Sequence, residues 1–193
     1  MVKLLAGAGV AIPSGLNPYL PLLVLAIAGV GGKTTLYGPF NFVGSWSAII
    51  ILAVLVGVDI FASKFPQLAR LYTNINYVLR PLAGAVAFSL VVPTTTLPVV
   101  VSLILGLIIA LITFYINVSL RQVITTRSKT ASVLEPLFSV GEDVLAAMLA
   151  LLTMGVPVVG GPVSILVLAG MVWWLFSLRR QTGTGKSTFS AQK

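Results

Sequence analysis

The chain has 193 residues, of which 58% are hydrophobic and only 8% are charged, and its formal net charge is +8. A soluble domain typically carries about 25% charged residues, so this composition, with a mean hydropathy of +1.07, excludes a water-soluble globular protein. The sequence contains no cysteine and no histidine, which excludes disulfides, thiolate chemistry and the commonest metal ligand and general base. We therefore expect a membrane protein that is not an enzyme and that uses neither a metal nor a cofactor.

Apolar segments long enough to cross a bilayer follow one another along the chain. A transmembrane helix needs roughly 20 apolar residues, and about six are predicted, at residues 4–31, 46–62, 79–96, 98–119, 136–156 and 162–178. The turn motifs "PTTTLP" at 93–98 and "GVPVVGGP" at 155–162 leave very short loops on one side. The sequence thus predicts one all-α membrane domain, residues 1–180, followed by a polar, disordered cytoplasmic tail, residues 181–193.

The basic residues favour one orientation of this array. Alternating the six spans from an inside N-terminus places eleven of the twelve lysines and arginines on one side and only Lys33 on the other. Lysines and arginines in short loops stay cytoplasmic during insertion, so both termini are predicted to be cytoplasmic, in the cell inner membrane or the plasma membrane. The positive charge is then a topology signal, because a nucleic-acid surface would need aromatic or motif support that the sequence lacks.

Two glycine-rich stretches resemble phosphate-binding loops: "GVGGKTT" at 29–35 and "GTGKST" at 183–188. A P-loop has a glycine five positions before the glycine of its Gly-Lys pair, where this chain has Ile27 and Arg180. A P-loop also joins a strand to a helix N-terminus, whereas the first stretch ends a predicted span and the second lies in the tail. Neither a nucleotide nor a nucleic acid is expected as a partner.

The first predicted span is interrupted in its middle by "IPSGLNP", residues 12–18. Pro18 removes a backbone donor and clashes with the carbonyl of Ser14, so the helix must kink or unwind there. Discontinuous helices often line substrate sites in transporters, which makes Ser14 and Asn17 candidate binding residues. The alternative is a kinked packing helix, because small residues recur every four positions and allow close helix contact: Gly7, Ala11 and Gly15.

The motifs "VLRPLAG" at 78–84 and "VLEPLFS" at 133–139 repeat the pattern Val-Leu-x-Pro-Leu at an offset of 55 residues. Proline costs little in the first turn of a helix, and each motif is predicted to open a span. The pair represents either two helix starts on the cytoplasmic side or a duplicated helical hairpin of the kind that builds transporters.

Acidic residues are few, and two of them lie inside a predicted span. Glu142 and Asp143 are six and seven residues into the fifth span, about 10 Å deep, and ionisable groups at such depth suggest a functional site. Adjacent helical positions point about 100° apart, so the two cannot share a face. One is expected to meet Asp59 or Arg80 and the other a water-filled vestibule; structural pairing with Arg80 or Arg121 is the alternative.

Three longer stretches carry a family resemblance: "SGLNPYLPLLVLAIAG" at 14–29, "DIFASKFPQL" at 59–68 with "LRPLAGA" at 79–85, and "EPLFSVGEDVLAAMLALL" at 135–152. In combination they resemble the uncharacterised integral membrane family called domain of unknown function 4126. The resemblance covers nearly the whole chain except the tail after Arg180. It implies a compact multi-span helical fold, and it brings no activity with it.

Two functions from different classes stay open. A transporter or channel for a small solute or ion accounts for the broken span, the repeat and the embedded acids. Its candidate substrate-binding residues are Ser14, Asn17, Asp59, Arg80, Glu142 and Asp143. A structural or assembly subunit of a larger membrane complex accounts for the short loops and the small-residue packing faces. Membrane lipids are expected partners, and a homo-oligomer or a larger membrane complex is compatible with the small size of the chain.

Overall fold

The computed structural model of the chain describes residues 1–62, 66–127 and 131–183, with the following side chains excepted: 60, 62, 66–74, 125–127, 131–136, 179 and 181–183. Every regular element in these ranges is helical, which confirms the all-α prediction. The elements are α1 (Val2–Ser14), α2 (Tyr19–Val30), a 3₁₀ turn (Asn41–Gly44), α3 (Trp46–Ala62), α4 (Pro66–Val91), α5 (Val99–Arg127), α6 (Ala131–Gly155) and α7 (Pro157–Gly183). Residues 181–183 of the predicted tail are therefore helical, and the rest of the tail, with most of "GTGKST", lies outside the described residues.

Three of these helices contain stretches long and apolar enough, by length and composition, to cross a membrane: Val99–Ile124, Leu137–Gly155 and Pro157–Leu178. Shorter apolar stretches accompany them at Val2–Ser14, Tyr19–Val30, Trp46–Asp59 and Ile75–Val91. Large apolar side chains such as Ile51, Ile108 and Leu166 are exposed on the outward faces, an arrangement suited to a bilayer rather than to water. These stretches and the apolar outward faces are compatible with a helical membrane protein, and the prediction of about six spans is not confirmed.

Helix α1 lies in the middle of the bundle and packs on α4, α5, α6 and α7. Residues 9–19 are all buried. A Cβ atom on Gly7 would lie 3.0 Å from the ring of Phe88, and one on Gly15 would lie 2.6 Å from the carbonyl oxygen of Ala110. Only glycine permits such close approach, so the predicted small-residue packing face of the first segment is confirmed.

Helices α1 and α2 form a hairpin instead of one continuous span. The ammonium of Lys3, at the start of α1, lies 5.7 Å from the ring centroid of Tyr37, which follows α2. The Tyr37 N–H in turn donates to the carbonyl of Leu90 at 2.9 Å. A continuous helix from Lys3 to Val30 would separate its ends by about 40 Å. The two helices also contribute to one buried core, through Ala6 and Val10 on α1 and Leu25 and Ala26 on α2.

The hairpin changes the predicted arrangement of the termini. Gly161, near the start of α7, approaches Leu5, whereas Leu175 packs with Ile116 and Leu120 further along the bundle. Since α7 runs on to Gly183, about 33 Å beyond Gly161, it ends opposite the start of α1. We call the end with the start of α1 and the end of α2 the hairpin end, and the opposite one the basic end. The termini of the described chain thus lie at opposite ends of the bundle, contrary to the prediction of one shared side.

The two proline motifs lie at different places in their helices. Helix α4 begins at Pro66, well before residue 79, so Pro81 lies inside it, and Pro136 likewise follows the start of α6 at Ala131. The interpretation as a helix start is therefore wrong for the first motif, because polar residues such as Asn76 belong to the helix and not to the loop before it. The second motif lies in the first turns of α6. The duplicated hairpin stays a prediction.

The stretch "GVGGKTT" is the C-terminal cap of α2. Gly32 adopts φ +67°, its N–H donates to Gly29 at 3.1 Å, and the N–H of Lys33 donates to Ala28 at 3.0 Å. This is the Schellman arrangement, in which a left-handed glycine satisfies the last carbonyls of a helix. The glycines thus close a helix C-terminus, whereas phosphates bind at the N-terminus.

Candidate functional site

The break between α1 and α2 begins with a carbonyl that proline leaves without a donor. Pro13 lacks the N–H that would bond to the carbonyl of Gly9. The hydroxyl oxygens of Ser164 on α7 and Thr153 on α6 each lie 3.2 Å from that carbonyl oxygen. The Thr153 hydroxyl also donates to Leu149 at 2.7 Å, so Ser164 is the main replacement donor.

The backbone of the break itself is satisfied by protein. The N–H groups of Leu16 and Asn17 both donate to the carbonyl of Pro13 at 3.0 Å. The side-chain oxygen of Asn17 accepts from the N–H groups of Tyr19 and Leu20, at 2.9 and 3.1 Å, and thereby caps α2. The predicted loss of helix within residues 13–18 is confirmed, and Asn17, only 2% exposed, contacts protein as predicted.

The amide nitrogen of Asn17 joins two carboxylates from different helices. It donates to Asp59 on α3 at 2.8 Å and to Asp143 on α6 at 2.9 Å, so both amide hydrogens are used. We call these three residues the amide-bridged cluster. The structure therefore brings together the broken helix and two of the predicted acids.

A second polar region lies one residue away on α6. Arg121 on α5 donates from Nε and Nη2 to the two oxygens of Glu142, at 2.6 and 2.7 Å. Such a bidentate geometry is the strongest form of arginine–carboxylate contact. The Glu142 side chain is only 10% exposed and that of Arg121 30%. Pairing of at least one of the two α6 acids with a base is thus confirmed, with Arg121 as the base.

Arg80 on α4 interacts electrostatically with charged residues of both regions. Its guanidinium carbon is 5.4 Å from the ring centroid of Phe114, a cation–π contact. Its charge interacts with Glu142, Asp59 and Asp143. Its Nε is buried and has no hydrogen-bond partner among the described residues. Arg80 therefore supplies positive charge near the cluster without being bound to one carboxylate in the manner of Arg121.

Ser14 is the candidate that the structure does not bring to the cluster. It is fully buried, and its hydroxyl donates to the carbonyl of Val10 at 2.8 Å. It therefore stabilises the last turn of α1. Sequence reasoning missed Ser164 and Thr153, although the orphan carbonyl four residues before Pro13 was a signal that some hydroxyl must face it. No group of three or more potential metal ligands occurs within the described part of the chain.

Comparison with known proteins gives a family. A family model described as Domain of unknown function (DUF4126) matches residues 4–177. No curated protein and no solved structure matches the chain. The match spans α1 to nearly the end of α7 and so includes the break, the amide-bridged cluster and the Arg121–Glu142 pair.

Proposed function

The chain belongs to the family described as Domain of unknown function (DUF4126), and we propose that it is a multi-pass transporter or channel for a small ion or solute. The proposal rests on one observation. A single neutral amide, at the break of a helical hairpin, bridges the carboxylates of Asp59 and Asp143. Ionisable groups inside a membrane domain are costly, and they commonly mark ion pathways or proton relays.

The charge balance of this region supports binding of a proton or a small monovalent cation. Among the described side chains, Glu142 is matched by Arg121, which leaves Asp59, Asp143 and the guanidinium of Arg80. Asn17 is neutral and cannot balance a charge. Two ionised carboxylates and one arginine carry one excess negative charge, and an uncompensated charge away from water is costly. One bound proton or monovalent cation makes this group neutral.

The backbone geometry supports the same proposal. Helix α1 ends and α2 begins at the cluster, so a helix C-terminus with partial negative charge and a helix N-terminus with partial positive charge meet there. Paired half-helices of this kind surround the substrate and coupling-ion sites of many secondary transporters. Because the break is held by protein hydrogen bonds, the site is built in advance of any ligand.

For the orientation, we propose that the basic end faces the cytoplasm of a cell inner membrane or plasma membrane. The described helices carry Arg70, Arg127 and Arg180 toward that end, whereas Lys3 and Lys33 accompany the hairpin end. Retention of positive charge in the cytoplasm then places the N-terminus outside and the C-terminus inside. The array is five membrane passages, α3 to α7, with α1–α2 entering from outside as a hairpin.

A flux assay tests the transport proposal. The purified protein is reconstituted in vesicles, proton, sodium and potassium gradients are imposed in turn, and a dye selective for the imposed ion reports its flux. Asp143→Asn keeps an oxygen that can accept from Asn17 and removes the charge. We expect flux to fall at least tenfold while the melting temperature changes little. The control is the double variant Arg121→Met/Glu142→Met, which removes a matched pair and should keep its flux. An Asp143→Asn protein with full flux would overturn the proposal.

The second candidate is a structural or assembly subunit of a larger membrane complex. It is favoured by the bidentate Arg121–Glu142 pair and by the close approach of Gly84 on α4 to Gly106 on α5, both of which fix helices in place. Under this function the wild-type vesicles show no flux with any of the three gradients, and Asp143→Asn lowers the melting temperature. The same experiment therefore separates the two candidates.

A further inference from the structure

A cavity of about 400 Å³ lies toward the basic end, between α5, α6 and α7. Its wall is mostly apolar, with side chains that include Leu120, Ile124, Phe138, Leu145, Met171 and Trp174. Its size is within the usual range of pockets for small ligands, about 300–1,000 Å³. The rim includes Leu137 and Trp174, which are 65% and 44% exposed, so the cavity is accessible from the surface that faces lipid.

One polar group in this wall has no hydrogen-bond partner within the described protein. Asn117 on α5 lines the cavity and is only 3% exposed. Its amide nitrogen is buried and has no hydrogen-bond partner among the described residues. A buried donor without an acceptor is rare and costly, and in a predominantly apolar pocket such a group is the kind that fixes the orientation of a ligand.

The charges around the cavity determine which ligand fits. Among the described residues of its wall, the ionised side chains are Glu142 and Arg121, which are paired with each other through two hydrogen bonds. The described part of the wall therefore offers no unmatched charge to an anionic or cationic headgroup. The donor that it does offer, the Asn117 amide, is neutral.

We propose that this cavity binds an uncharged membrane amphiphile, whose apolar chain fills the space and whose carbonyl, ether or hydroxyl oxygen accepts from Asn117. The site is separate from the amide-bridged cluster, although Leu16, next to Asn17, forms part of its wall. Binding does not depend on transport, so the proposal stands or falls independently of the function proposed above.

Photochemical labelling tests the site directly. The probe is a monoacylglycerol with a diazirine in its acyl chain, added to the protein in phosphatidylcholine vesicles, with the corresponding fatty acid as the charged comparison. We expect saturable crosslinks to the α5 and α6 residues of the cavity, displaced by unlabelled monoacylglycerol and at least fivefold weaker with the fatty acid. Crosslinks that are spread over the outward face of α3, or that do not saturate, mean contact with bulk lipid only and overturn the proposal.

A bulky side chain introduced into the cavity tests the site by blocking it. Gly141 lines the cavity, and a Cβ atom there would meet nothing within 4 Å. A side chain at position 141 therefore begins in open space, and replacing a helical glycine does not weaken the helix. The control, Gly170→Phe, changes a helical glycine with equally open surroundings that is not part of the wall. We expect Gly141→Phe to reduce the saturable crosslinking at least fivefold and Gly170→Phe to leave it unchanged. Equal crosslinking in both variants overturns the site.

Asn117→Leu tests the role of the amide. If the amide serves a ligand, its removal should leave the melting temperature of the delipidated protein unchanged or higher, and should abolish the increase in melting temperature that monoacylglycerol gives to the wild type. If the amide serves the fold, the variant melts lower and still responds to monoacylglycerol. The second pattern overturns the proposed contact.

Discussion

Glu142 and Asp143 are neighbours on α6, yet they belong to polar regions of different kinds. Glu142 receives two charge-assisted hydrogen bonds from Arg121, so its charge is matched within the protein. Asp143 shares the neutral amide of Asn17 with Asp59, so its charge is stabilised by a hydrogen bond but not balanced by it. A carboxylate whose charge is balanced by an arginine attracts an ion only weakly. A carboxylate that is hydrogen-bonded only to a neutral donor can still bind a proton or a cation.

The helix explains why adjacent residues divide in this way. Successive side chains point about 100° apart, so Glu142 faces α5 while Asp143 faces the break of the hairpin and α3. Glutamate and arginine are both long, and the flat guanidinium matches both carboxylate oxygens. The shorter Asp143 meets Asn17, whose position is fixed because its oxygen caps α2. The difference between the two acids therefore depends on the hairpin, which brings Asn17 to this level of the bundle.

The largest expected effect is an all-or-none labelling pattern that tests the hairpin. The chain has no cysteine, so single cysteines can be introduced without background. Val2, Thr35 and Thr95 are exposed at the hairpin end, and Arg180 is exposed near the basic end. A membrane-impermeant maleimide added from outside should label cysteines at the first three positions and should leave Arg180→Cys unlabelled.

Val2→Cys decides between the hairpin and a single crossing. If α1–α2 crossed the membrane once, Val2→Cys and Thr35→Cys would react from opposite sides. That result would remove the route by which Asn17 reaches Asp143, and with it the contrast between the two polar regions.

The next effect is on stability and concerns the matched pair. Arg121→Met leaves Glu142 largely buried and unpaired, and removing one partner of a buried ion pair costs about 3–5 kcal/mol. Because Arg121 is 30% exposed, we expect a loss of about 3 kcal/mol in the free energy of unfolding, measured by denaturant titration in detergent. The double variant Arg121→Met/Glu142→Met should recover most of that loss, since no charge is left alone. A double variant as unstable as the single one would show that the two side chains act independently.

The third effect concerns the neutral bridge. Asn17→Ala removes the cap of α2, which is worth about 1 kcal/mol, together with two hydrogen bonds to carboxylates. We expect a loss of about 2 kcal/mol in the free energy of unfolding and a loss of flux in the vesicle assay. Asn41→Ala, at an exposed asparagine, is the control and should change neither quantity. If Asn17→Ala kept its flux, the bridge would be structural and the two regions would not differ in kind.

Local chemistry allowed the sequence to predict the break and the division of the two acids. Pro13 and Pro18 mark where the backbone ladder fails, and helical geometry separates Glu142 from Asp143. The direction of the chain after the break was not predictable, because proline indicates where a helix is interrupted and not whether the chain continues or reverses. One lysine near the N-terminus, Lys3, could not decide the question.

The contacts of the site were only partly predictable for a related reason. The predicted spans placed Arg80 and Arg121 at a similar depth to the two acids. Which arginine pairs with which acid depends on packing. The Phe114 ring lies against Arg80, while the position of Arg121 on α5 directs its guanidinium to Glu142. The Asn117 amide interrupts the apolar run "FYINVSL", which was a visible signal, but its lack of a partner follows from the arrangement of three helices.

The smallest effect separates two buried serines and tests how the break is held. Ser164 donates to the Gly9 carbonyl that Pro13 leaves without its usual donor, whereas the equally buried Ser102 hydroxyl has no partner among the described residues. Hydrogen bonds between membrane helices contribute about 0.6–1 kcal/mol, so Ser164→Ala should lower the free energy of unfolding by about that amount. Ser102→Ala should be neutral or stabilising, because it removes an unpaired polar group.

Thr153 also reaches the Gly9 oxygen, so it compensates in part for the loss of the Ser164 hydroxyl. The double variant Ser164→Ala/Thr153→Val should therefore lower the free energy of unfolding by more than the two single variants combined. Equal effects of Ser164→Ala and Ser102→Ala would mean that the Gly9 carbonyl needs no replacement donor, and that the break is held by the Asn17 bridge and by packing alone.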